Sequence, residues 1–175
     1  MNNAKIRRKQ NTLIICGWGV LAFGIWSVIR FILMITLEYG HYVEANVLPV
    51  LTEQDLEAGK TFVTVFSIVF VLLVSLGEVA LRFFIAHRAG MQGRGIKTGP
   101  AYLVWVVVIL IEEIASVWTV IGYIYSETAY TLSDVVGNLL LSITDIVILI
   151  DLFIAAIGVR HYIRKTLKAK ALDNH

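Results

Sequence analysis

The stretch from Leu103 to Tyr123, LVWVVVILIEEIASVWTVIGY, restricts the chain more than any other. As a helix rising 1.5 Å per residue it is long enough to cross a hydrocarbon core of about 30 Å. Two adjacent carboxylates, Glu112 and Glu113, interrupt it at the centre. An ionisable side chain at mid-bilayer costs roughly 2.5–3.5 kcal/mol on insertion scales, so each needs a partner, a proton or a purpose.

Three further apolar runs repeat the pattern. The sequence predicts spans at about 12–37, 61–86, 101–125 and 135–159. Only helices and closed barrels satisfy their backbone in lipid, and segments of this length are helices. The predicted fold class is therefore all-α, a polytopic four-transmembrane-helix bundle forming a single domain over residues 1–175. Composition agrees. Hydrophobic residues make up 58 % and charged residues 16 % of the chain, against about 45–50 % and 25 % in soluble domains. The first run is too long for a signal peptide and lacks a small-residue cleavage site, so it reads as a retained span.

Lys and Arg are sorted along the chain. Lys5, Arg7, Arg8 and Lys9 precede the first span. Arg88, Arg94 and Lys97 lie between the second and third, and Arg160, Arg164, Lys165, Lys168 and Lys170 follow the fourth. The two opposite connections hold only Lys60; the first of them is acidic, with Glu38, Glu44, Glu53, Asp55 and Glu57 around Pro49. The positive-inside rule then places both termini in the cytoplasm. The expected setting is a cell membrane, the cytoplasmic membrane of a bacterium, with membrane lipid as the first partner. The basic residues hug span ends without interleaved aromatics, so topology and anionic headgroups account for them and nucleic acid does not.

Several chemistries are excluded. The lone Cys16 allows no internal disulfide and no CxxC site. The histidines (His41, His87, His161 and His175) lie outside the spans, which removes a bundle-held haem. HExxH, GxSxG and Ser-His-Asp patterns are absent, so no enzyme activity and no cofactor are expected. The glycines between Gly90 and Gly99 match no phosphate motif: Ile96 separates Gly95 from Lys97, where a P-loop needs lysine directly after glycine. A flexible basic turn is the expected structure there.

Helical periodicity assigns faces. In the fourth span Asp134, Asn138, Ser142 and Asp145 share one stripe. Gly137, Thr144, Asp151 and Gly158 form a second, and a purely apolar arc faces lipid. In the third, Trp105, Glu112, Ser116, Thr119 and Tyr123 align, with Glu113 at the stripe's edge. Glu112, Glu113 and Asp145 come out near the midplane. Glu78, Asp151 and Arg82 come out nearer the inner edge, and Arg30 in the outer third.

These placements carry the functional expectation: a small transporter or channel-like protein for protons or cations, inorganic or organic. Glu112 and Asp145 would bind, since paired carboxylates raise each other's affinity for a cation or proton. Asn138 and Trp105 stand beside them, the latter suited to an organic cation through its ring face. Glu113 and Asp151 assist, and Arg30 balances charge. Glu78 and Arg82, four residues apart with the acid first, form a structural in-helix pair. Four helices seldom enclose a pathway alone, so a homo-oligomer or a partner subunit is expected. The competing expectation is an accessory, assembly or sensor subunit whose buried charges pair with a larger membrane partner.

Overall fold

The computed structural model describes residues 3–37, 56–125 and 132–173. The acidic connection around Pro49 and the short one containing Glu127 lie outside these. The described residues are all-α, with no strand among them. Helix α1 is Asn3–Leu37, α2 is Leu56–Gly93, α3 is Ala101–Tyr125 and α4 is Leu132–Asp173. Four segments of these helices are long and apolar enough to cross a membrane: Ala4–Arg30, Ile68–Gly93, Ala101–Gly122 and Val135–Thr166.

Three helices overrun their predicted spans. At 42 residues α4 is about 63 Å long, twice a hydrocarbon core. Its surplus carries Arg160, Arg164 and Lys165, and the basic start of α1 is likewise helical. Basic side chains with long apolar stems tolerate a helix end that leaves the hydrocarbon.

The chain divides into two compact units, Met1–Leu21 with Arg82–His175, and Ala22–Leu81. In the first, four stripes supply the core. Helix α1 contributes Ile6, Leu13 and Val20, spaced by seven, and α2 contributes Ile85 and Ala89. From α3 come Tyr102, Val106 and Ile109, and from α4 Leu149, Leu152, Ala156 and Val159. The complementary arc of α4 stays uncovered, with Leu140, Ile143, Val147, Ile150, Ile154 and Ile157 all exposed. These residues belong to the arc that periodicity assigns to lipid. In the second unit the Ser27 hydroxyl donates to Glu78 Oε2 at 2.8 Å, and Phe62, Phe66 and Phe70 stack in succession at four-residue spacing.

The predicted turn from Gly90 to Gly99 is corrected. Helix α2 continues through Gly90 and Gly93, and the connection is only Arg94 to Pro100. Gly95, at φ +84°, ends the helix. Its N–H donates to Gln92 O at 3.0 Å and the Ile96 N–H to Met91 O at 3.1 Å. This is the paired bonding of a Schellman cap, which needs a left-handed residue where Gly95 stands. Gly93 serves close approach instead. A Cβ there would lie 2.6 Å from Ile14 Cγ1 and 3.0 Å from the Gln10 carbonyl oxygen on α1. Gly93→Ala is therefore expected to destabilise by about 1–3 kcal/mol, the usual cost of overpacking. Gly90→Ala, whose Cβ meets nothing within 4 Å, should be neutral or slightly stabilising. Thermal unfolding of the two variants in detergent checks the contrast.

Candidate functional site

Within the first unit, Arg82 begins the inward stripe of α2 that continues through Ile85, Ala89 and Gln92. Glu113 extends the α3 stripe of Tyr102, Val106 and Ile109 by one more four-residue step. Asp145 opens the α4 stripe that runs on through Leu149 and Leu152. The three stripes face one another, so their polar members meet. Arg82 Nη1 donates to Asp145 Oδ2 at 2.6 Å, and Nη2 donates to Glu113 Oε1 at 3.1 Å. The Arg82 and Asp145 side chains are 3 % and 2 % exposed, and Glu113 is 18 % exposed.

One guanidinium thus faces two carboxylates. Ionised together, they leave one negative charge in excess. The two carboxyl groups neighbour each other, and the Ser142 hydroxyl adjoins Glu113. Among the described residues, no donor lies within hydrogen-bond geometry of the buried Asp145 Oδ1. An unsatisfied buried oxygen beside a second carboxyl is a place where a proton or a small cation supplies what is missing. Among the described residues, no three His, Cys, Asp or Glu side chains gather as metal ligands.

The expected pairing of Glu112 with Asp145 is corrected. Glu112 is exposed, as are Trp105 and Thr119 from the same predicted stripe, and Glu113 takes the inward position. Successive helical residues differ by 100°, so only one of two adjacent acids points at a given neighbour. Packing through Tyr102, Val106 and Ile109 determines which one. Arg82 also lies further from the end of its helix than the predicted span implies. The predicted span ends at Ala86 and α2 runs seven residues further, which adds about 10 Å between Arg82 and the helix end. Beyond the i, i+4 relation to Glu78, Arg82 gains two partners from other helices.

The remaining candidates are not gathered at these three. Asn138 is half-buried and two turns from Asp145 along α4, while Asp151 is exposed. Glu78 and the exposed Arg30 belong to the second unit. On the small-residue stripe, Gly158 is covered by the Lys9 side chain, but a Cβ at Gly137 would meet nothing within 4 Å among the described residues.

Periodicity did not single out Gln92, which ties three elements together. Its Nε2 donates to Ala156 O on α4 at 2.6 Å. Its Oε1 accepts from Thr98 Oγ1 at 3.1 Å and from the Tyr102 hydroxyl at 2.5 Å. Gln92, Tyr102 and Ala156 lie ten or eleven residues from Arg82, Glu113 and Asp145 along α2, α3 and α4, or about 15–17 Å. Two polar layers, one ionic and one neutral, thus clamp the same three helix faces. Compared with known proteins, this chain matches no family model, no curated protein and no solved structure.

Proposed function

We propose that this is a small multi-pass membrane protein, with both termini cytoplasmic, that takes a proton or cation at Arg82, Glu113 and Asp145. The observation that carries the reading is the buried Asp145 Oδ1, without a hydrogen-bond partner among the described residues, in a cluster of two carboxylates and one guanidinium. A structural ion pair needs one acid per base. The surplus acid in a membrane-crossing helix is a standing cost that function explains. Arg82 holds both carboxylates close enough to share an incoming positive charge, and Ser142 offers a further oxygen.

The test is stabilisation of the purified protein by monovalent inorganic and small organic cations. A ligand at one hundred times its Kd raises stability by about 2.7 kcal/mol. The expected result is a rise in the unfolding midpoint with at least one cation class, lost in Asp145→Asn. If no cation and no pH change moves the wild type differently from Asp145→Asn, the reading fails.

One observation favours the second reading, a subunit that works beside a membrane partner or a further copy of itself. Glu112 sits exposed on α3, within a membrane-length apolar segment, and makes no hydrogen bond or ion pair among the described residues. A carboxylate facing lipid is costly, so a neighbour carrying a donor would cover it. Co-purification of a stoichiometric partner that is lost in Glu112→Leu would support this reading.

A further inference from the structure

A cavity of about 410 Å³ lies where the start of α3 meets the last third of α4. Pro100, Leu103, Ile157, Arg160, His161 and Arg164 line it. Among the described residues, the lining contains two guanidiniums and an imidazole and no carboxylate. Its polarity is ordered along α4. Leu103 and Ile157 supply apolar lining. Arg160 follows three residues on and Arg164 seven residues on, about 10 Å further along the axis. The apolar end adjoins the membrane-length part of α3, which begins at Ala101. Arg160 is half-buried, and Arg164 and His161 are exposed, so the cationic end stays open to an incoming ligand.

We propose that this cavity binds an anionic phospholipid, its phosphate between Arg160 and Arg164 and the top of its acyl region against Leu103 and Ile157. Arginine matches phosphate oxygens with paired N–H donors. Basic pockets between membrane helices near the interface are where phospholipid headgroups are held. The apolar half selects a lipid over free phosphate. The lack of a carboxylate leaves a zwitterionic headgroup's ammonium without a counter-charge. Nothing in this site overlaps Arg82, Glu113 or Asp145, so it stands or falls separately from the proton or cation reading.

The test is lipid binding to the full-length protein in neutral detergent, followed by native mass spectrometry and by thermal unfolding. The probes are phosphatidylglycerol, cardiolipin, phosphatidylcholine and inorganic phosphate. The expected result is at least tenfold tighter binding of the two anionic lipids than of phosphatidylcholine. Inorganic phosphate should neither stabilise nor compete at the same concentration. Arg160→Gln with Arg164→Gln should abolish the preference, while Arg94→Gln with Lys97→Gln, equal in charge but outside the cavity, should retain it. Leu103→Trp, which fills the apolar end and keeps every charge, should also weaken lipid binding. Midpoints measured without lipid establish that each variant is folded. Equal binding of anionic and zwitterionic lipid, equal loss in the two arginine/lysine double variants, or full competition by inorganic phosphate would each overturn the proposal.

Discussion

Replacing Arg82 by leucine is expected to destabilise the protein by about 3–5 kcal/mol, because Asp145 and Glu113 then face each other with no cation between them. For a chain of this length that is a fall in the unfolding midpoint on the order of 10 °C. The cause is separable from lost packing. Adding Glu113→Gln and Asp145→Asn to Arg82→Leu removes the uncompensated charge, and that triple variant should recover more than half of the loss. Glu113→Gln alone should leave the midpoint unchanged or raise it, since it removes the surplus acid and keeps the 2.6 Å Arg82–Asp145 bond. A fall of several degrees in Glu113→Gln would mean that both acids serve structure.

The second large effect concerns Gln92. Gln92→Leu leaves the buried hydroxyls of Thr98 and Tyr102 without their acceptor and removes a donor from Ala156 O. A buried polar group left unpaired costs about 1–3 kcal/mol, so a loss of about 3 kcal/mol is expected for the set. Removing a hydroxyl as well makes the site more uniformly apolar. Tyr102→Phe should therefore cost less in the Gln92→Leu background than in the wild type. A double-mutant cycle on unfolding free energies checks the coupling. Additive losses would show that the glutamine and tyrosine do not act on one another.

Much of the architecture was legible in the sequence because membrane-length apolar runs admit few alternatives. Four such runs give four such helices, and the apolar arc of α4 was readable from periodicity alone. The ends were less legible. Nothing in HRAGMQG separates a helix leaving the hydrocarbon from a glycine-rich turn, and the Gly95 cap that decides it depends on a left-handed φ.

The meeting of an acid from the third span with Asp145 was legible in the sequence, and the identity of that acid was not. The sequence predicts Glu112 beside Asp145; it is Glu113 that shares Arg82 with Asp145. Polar spacing favoured Glu112, whose stripe with Trp105, Ser116 and Thr119 is the more polar one. Burial follows the quieter stripe of Tyr102, Val106 and Ile109, which ends on Glu113. In a helix surrounded by lipid, polarity alone does not mark the inward face. The better signal was a face with steps of four, three and four residues that begins at a tyrosine and ends at an acid. Gln92 was hidden for a related reason: a lone glutamine at a span end looks solvated until the neighbouring hydroxyls and carbonyl are placed around it.

The most direct test of the central reading is flux through the purified protein in sealed proteoliposomes, recorded with interior pH and cation indicators under an imposed gradient. The expected result is proton or cation movement well above that of protein-free vesicles, reduced at least tenfold by Asp145→Asn and left intact by Gly90→Ala. Wild-type flux no greater than that of empty vesicles, or an Asp145→Asn flux equal to wild type, would contradict a transport role for this cluster and leave its surplus charge to a membrane partner.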